Sequence, residues 1–212
     1  VGMVCGRKPL IAAAANHRVL VYNAVPTSSG ASASFALGQA AGGSNLTTNA
    51  TACTAAGMNT PLGIGVTPTG KLLVADTVNN RVLVYTGIPT TGGASASFAL
   101  GQAAGGGNLT TNAAATTAGG MSSPYAVAVS STGMVAVADG GSHRALIWYE
   151  TPTTVTDAHA VLGQTNFTSG SEWAGGSADA AVMSTPKGVC WTGTHLLVSS
   201  EAMNRVMKFS PA

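Results

Sequence analysis

A short tract built around Asn-Arg-Val returns four times along this chain at almost constant spacing. That periodicity limits the possible folds more than any other property of the sequence. NHRVLVY (16–22) comes back as NNRVLVY (79–85), SHRALIWY (142–149) and MNRVMKF (203–209). The arginines Arg18, Arg81, Arg144 and Arg205 are 63, 63 and 61 residues apart. A second marker keeps step: FALGQ (35–39), FALGQ (98–102) and AVLGQ (160–164). A third is Asn45-Leu46-Thr47, Asn108-Leu109-Thr110 and Asn166-Phe167-Thr168. Three marker types at one period define repeat units of about 1–60, 61–123, 124–185 and 186–212 within one domain. Segments 30–50 and 93–113 differ at a single position, Ser44 against Gly107, which points to a recent duplication.

Within a unit, short apolar runs alternate with turn residues, as β-strands do. In the second unit LGIGV (62–66) is followed by the turn Pro68-Thr69-Gly70, then KLLVAD (71–76), a polar loop 77–80, RVLVY (81–85) and ASASFAL (94–100). The third unit copies it with YAVAV (125–129), MVAVAD (134–139), RALIWY (144–149) and DAHAVL (157–162). The first begins inside its opening strand and gives PLIAA (9–13), RVLVY (18–22) and ASFAL (33–37). The fourth gives KGVCW (187–191), HLLVS (195–199) and RVMKF (205–209) without a fourth strand. No stretch keeps a helical apolar period. The expected fold is therefore all-β: a β-propeller of four-stranded antiparallel blades. A β-solenoid, which needs much shorter rungs, fits less well. A ring larger than four blades, or one shared between chains, stays open, and the unfinished fourth unit exposes a strand edge suited to pairing with another β-segment.

Charge excludes several function classes. Charged residues are 8% of the chain, against about 25% in an average soluble protein. The net charge of +2 and nine scattered basic residues offer no field for nucleic acid or anionic lipid. No apolar run reaches the roughly 18 to 20 residues of a membrane span. The neutral Ser/Thr/Asn/Gly surface suits a secreted or cell-surface protein. No signal-peptide pattern and no initiator Met is visible, so the chain is expected to be processed, trimmed or incomplete. The three cysteines, Cys5, Cys53 and Cys190, form no CxxC or Cys/His cluster, which argues against a structural zinc site.

The string KLLVADTVNNRVLVY (71–85) resembles the core of the NHL repeat, and VAVADGGSHRALIWY (135–149) resembles it nearly as well. VLGQTNFT (161–168) is similar to the LGQ…FT segment of long bacterial NHL-type units. The resemblance implies a propeller, usually one of six blades. It also brings in relatives that are lyases or esterases with an axial metal held by His and Asp or Asn from several blades, a supply not repeated here.

Candidate residues follow from the repeat. Asp76 and Arg81 recur as Asp139 and Arg144, placed to pair across a hairpin; Ala13 and Ser200 stand where the other units would carry Asp. A structural blade pair is the favoured reading, a ligand-binding ring of charges the alternative. His17 and His143 share a repeat position with Asn80 and Asn204, which reads as loop hydrogen bonding and not metal ligation. The long neutral segments 38–60, 101–123 and 163–185 leave one face of the blades. Either they fill space or they form an interaction surface, with Gln39, Asn45, Gln102, Asn108, Gln164, Asn166 and Trp173 as contacts. Recurrent Met58, Met121 and Met183 suggest that these segments pack down. Asn45, Asn49, Asn108 and Asn166 each lie in an N-x-T sequon.

No GxSxG, HExxH or phosphate-binding loop appears. No catalytic residue, metal or cofactor is expected. The leading functional expectation is a non-catalytic interaction and assembly module that binds a protein partner or itself. A carbohydrate-binding propeller is the alternative, with Trp173 available to stack on a sugar ring. A metal-dependent hydrolase or lyase ranks third.

Overall fold

The computed structural model describes residues 3–4, 8–39, 46–102, 109–175 and 181–210. They form four antiparallel sheets, one per repeat unit. Blade 1 contains β1 (Met3–Val4), β2 (Leu10–Ala13), β3 (Arg18–Val21) and β4 (Phe35–Leu37). Blade 2 contains β5 (Pro61–Val66), β6 (Leu72–Asp76), β7 (Arg81–Tyr85) and β8 (Phe98–Leu100). Blade 3 contains β9 (Pro124–Val129), β10 (Val135–Asp139), β11 (Arg144–Trp148) and β12 (Ala160–Leu162). Blade 4 has three strands, β13 (Pro186–Thr192), β14 (His195–Ser200) and β15 (Arg205–Phe209). Every sheet is ordered as its strands run in sequence. This is the four-bladed β-propeller architecture, and among the described residues the sheets are not closed into a ring.

The central strands of blades 2 and 3 are buried at every residue, because both sheet faces are covered. That is why LLVAD and RVLVY read as continuous apolar runs and not as alternation. Odd and even positions serve two different cores. Leu73, Val82, Val84 and Phe98 face forward to Val127, Val135, Val137 and Trp148 of blade 3. Val74, Leu83 and Tyr85 face back to Val19, Val21 and Phe35 of blade 1. A smaller core joins Ala136, Ala145 and Ile147 to Leu196, Val198 and Met207 of blade 4. Each fully buried Leu or Val contributes about 2 kcal/mol by removal from water, so blade stacking is the principal stabilisation.

Blade 4 shows the opposite pattern. Its strands alternate between buried and half-buried residues in β14 and carry exposed residues in β15, because its forward face has no cover among the described residues. Val206 there is 65% exposed, and the exposed Lys208 takes the register of Val84 and Ile147. At the inner edge, a Cβ on Gly63 would lie 2.6 Å from the Ala126 Cα, so glycine lets β5 and β9 approach.

The outer strands are shorter than the sequence suggests. The run 94–100 pairs with β7 only from Phe98, and 157–162 pairs with β11 only from Ala160. The reason lies in where the backbone hydrogen bonds go. Gly93 N–H donates to Ala36 O of blade 1, Ala96 N–H to Ala55 O, and Ala158 N–H to Ala118 O. These lead-in segments are committed to the preceding unit. The loop 77–80 also has more order than expected: Thr77–Asn79 forms one 3-10 turn that ends on Asn80 with φ 52°. His17 and His143 end equivalent turns in blades 1 and 3.

Candidate functional site

Asp76 ends β6 and Arg81 opens β7, and the register sets them directly opposite. Both side chains are fully buried, with Arg81 Nε donating to Asp76 Oδ2 at 2.8 Å. The other carboxylate oxygen accepts from Asn59 N–H at 2.6 Å, and Asn79 Nδ2 adds a bond to Oδ2. The guanidinium then reaches in two directions. Nη1 donates to Leu109 O in the following long loop; Nη2 donates to Thr54 O and Gly57 O in the preceding one. Asp139 and Arg144 repeat the arrangement, with Ser122 N–H on the carboxylate and Phe167, Thr117 and Gly120 carbonyls on the guanidinium. Each pair is a clamp that fastens two successive long loops to one hairpin.

Burial drives the Asp139 carboxyl up to about 6 against the opposing pull of Arg144, and raises Asp76 in the same way. A strongly shifted carboxyl in a cleft suggests chemistry. These two lie in closed cores with every guanidinium nitrogen hydrogen-bonded, which favours a structural role. Where Asp is missing the device survives in part. Arg18, opposite Ala13, still donates to Leu46 O. In blade 4 Ser200 replaces the carboxylate, accepting from Ser184 N–H and donating to Ser184 O, while Arg205 reaches Val182 O.

The glutamines expected as ligand contacts point inward, which corrects that expectation for Gln39 and Gln102. Gln39 is 2% exposed; it donates to His17 O and accepts from Ala50 N–H. Gln102 is 4% exposed and donates to Asn80 O and Ala113 O. Gln164, half-buried, joins His143 O to Ser171 O. Their amides replace missing ladder bonds for loop backbone that would otherwise be orphaned. Asn166 is exposed, with Oδ1 accepting from Thr168 and Ser169 N–H in a local turn. Trp173 is half-buried at φ 64°, in the turn Glu172–Gly175. Asn45 and Asn108 lie outside the described residues.

Three features add to the sequence reading, which expected hydrogen bonding at the shared His/Asn position and packing of the recurrent methionines but not the partners involved. His17 Nδ1 accepts from Thr60 N–H, Asn80 Oδ1 from Ser123 N–H, and His143 Nδ1 from Thr185 N–H. Each bond ties one blade to the first residue before the next, so the shared His/Asn position is an inter-blade latch. The matching signal was there: a polar residue precedes Pro61, Pro124 and Pro186. Second, Met58, Met121 and Met183 are fully buried beneath Gly38, Gly101 and Gly163. Third, an apolar groove of about 430 Å³ opens between blades 3 and 4, lined by Ile147, Ala160, Leu162, Trp191, Leu196 and Phe209. Among the described residues, no three His, Cys, Asp or Glu side chains gather to hold a metal, and Cys53 and Cys190 are free thiols.

The hairpin that carries the Asp76–Arg81 clamp matches a known family model, with residues 58–85 aligned to the NHL repeat. The match runs from Met58 through β5, β6 and β7, and so includes the clamp and the latch residue Asn80. NHL repeats generally mediate protein–protein interaction. Comparison with curated proteins gives no match.

Proposed function

We propose that this chain is a non-catalytic protein-interaction module, exported or displayed at the cell surface, that binds partner polypeptides through apolar surface. One observation carries the reading. The polar groups of the repeat are consumed in clamps, latches and loop braces, while among the described residues apolar surface stays exposed at blade 4 and in the groove beside it. Exposed Tyr149 and Val206, at 61% and 65%, flank that region. Uncovered apolar surface of this kind marks interaction sites. The NHL match and the commitment of both buried carboxylates to arginines support the same reading. The near-absence of charge supports an exported location. The carbohydrate reading loses support with the burial of Gln39 and Gln102. Among the described residues no helix is long and apolar enough to cross a membrane.

The test is quantitative capture from the secreted and surface fractions of the source cells. The folded chain is immobilised beside a heat-unfolded control, and each captured protein is then purified and titrated. A saturable, stoichiometric partner is expected. Absence of any partner that saturates on the folded chain refutes the reading, and stoichiometric turnover of a substrate would refute its non-catalytic part.

A further inference from the structure

The three blade junctions are built alike and differ in one acceptor. At each junction two successive backbone N–H groups are held from opposite sides. Asn59, Ser122 and Ser184 donate to Asp76, Asp139 and Ser200 of the blade that follows. The next residues, Thr60, Ser123 and Thr185, donate backward to His17, Asn80 and His143 of the blade before. The backward bond is the one that joins two blades. The residues that make it stand directly before Pro61, Pro124 and Pro186, with φ of 55°, 50° and 46°. A residue before proline favours extended backbone, and a β-branched one at positive φ is strained. Thr60 and Thr185 therefore have more strain to release than Ser123 if the latch is lost.

The acceptor at the middle junction is the Asn80 amide oxygen; at the outer two it is an imidazole Nδ1. An Nδ1 that accepts is unprotonated, which places the proton of the neutral ring on Nε2. A second proton turns Nδ1 into a donor that faces another donor. Imidazoles as a class take up that proton between about pH 8 and about pH 5, whereas an amide oxygen does not. Both rings are half-buried, so the charged form can turn toward water.

We infer that the chain carries an acid-sensitive joint at two of its three blade junctions. Protonation of His17 and His143 frees the Thr60 and Thr185 amides, while Asn80 keeps blades 2 and 3 latched. The sign follows from the accepting form: the latch is complete with neutral rings and is lost as pH falls. The release is local. The apolar cores still stack the blades, and it is the first residues of β5 and β13 that gain freedom from the preceding blade. This adds an acid response to the module and does not depend on its having a partner.

Neighbouring charges decide where the effect is read most cleanly. His17 is flanked by Arg18 on its own blade and by the Asp76–Arg81 pair on the next. His143 is flanked by Arg144, paired with Asp139, on its own blade. On the elements around Thr185, Lys187 pairs with Glu201, Glu172 accepts from Ser184 Oγ, and Arg205 donates to Val182 O. Burial raises the Asp76 and Asp139 carboxyls, so acid acts on the Asn59 and Ser122 bonds as well. At the third junction Ser200 replaces the carboxyl and has no charge to change. Thr185 is therefore the primary reporter.

The test is amide hydrogen exchange by NMR on the intact chain at about pH 7.5 and about pH 5, bracketing the imidazole range, with intrinsic rates divided out. Protection at Thr185 should fall about fivefold on acidification, the worth of one hydrogen bond, and Ser123 should fall less. Imidazole nitrogen shifts at the higher pH should show both rings as the Nε2–H tautomer. His143→Asn installs the residue that blade 2 carries here, so the fold is expected to hold. It should remove the fall at Thr185 and leave the response at Thr60 unchanged. A Thr185 fall that persists in His143→Asn overturns the inference. So does unchanged Thr185 protection in the unsubstituted chain, an equal fall at Ser123, or an Nδ1–H tautomer; these three readings need no variant.

Discussion

Removing Arg81 tests whether the clamps hold this fold together. Arg81→Met keeps most of the side-chain stem but deletes a guanidinium with four hydrogen bonds: one to Asp76 and three to the Leu109, Thr54 and Gly57 carbonyls. Both members of the pair are fully buried, so water cannot take over. Breaking a buried pair from one side costs about 3–5 kcal/mol, because the surviving charge is stranded. Orphaning three carbonyls raises the total toward the upper end. The chain provides its own control. Arg18 occupies the same position in blade 1 opposite Ala13, so Arg18→Met strands no carboxylate and should cost about 1–2 kcal/mol. Urea unfolding followed by far-UV circular dichroism at pH 7 measures both. The Arg81→Met midpoint should fall by more than about 1 M urea. Its deficit should shrink at acid pH, where Asp76 takes a proton and no charge is left unpaired. The double variant Asp76→Val with Arg81→Met, which leaves neither charge, should recover much of the loss. Equal costs for Arg81→Met and Arg18→Met, or no recovery in the double variant, would refute the clamp argument.

Other outcomes can be checked independently. The Asp139 carboxyl, raised to about 6 by burial, is easier to protonate in the folded chain than in the unfolded one, where it titrates near 4. Its contribution is therefore fully present below pH 4 and is lost as pH rises to 6, a fall of up to roughly 3 kcal/mol that Asp139→Asn should abolish in denaturation midpoints. Gly101 has φ 94° with Met121 where a Cβ would go, whereas Gly70 has φ 85° in open space. Gly101→Ala should thus cost about 1–3 kcal/mol more than Gly70→Ala in the same urea assay. His143→Ala should lower hydrogen-exchange protection of the Thr185 amide, and His143→Asn should restore it, because Asn80 already accepts the equivalent bond.

The sequence carried the repeat, the all-β class and the blade order, because each strand is a local apolar run between turn residues and the period appears by inspection. It also carried the pairing of Asp76 with Arg81 and Asp139 with Arg144, since five residues separate each pair across one short turn. The function of those pairs was less legible. Their three carbonyl partners lie 24 to 28 residues away in loops whose backbone path no local pattern records. Gln39 and Gln102 misled for a related reason. A glutamine in a neutral loop looks solvent-facing until the loop is seen to fold over it and use its amide as a brace.

What the chain's residues determine on their own is the blade: strand length, hairpin turns, left-handed positions and the apolar alternation that makes two faces. What tertiary structure decides is which faces find cover. Phe35, Phe98 and Ala160 share a register, and in sequence the third is a conservative loss of size in a β-strand. Stacked against blade 4, it becomes part of the wall of an apolar groove formed by the described residues. Burial is set by the neighbour across the interface, and the neighbour belongs to another repeat.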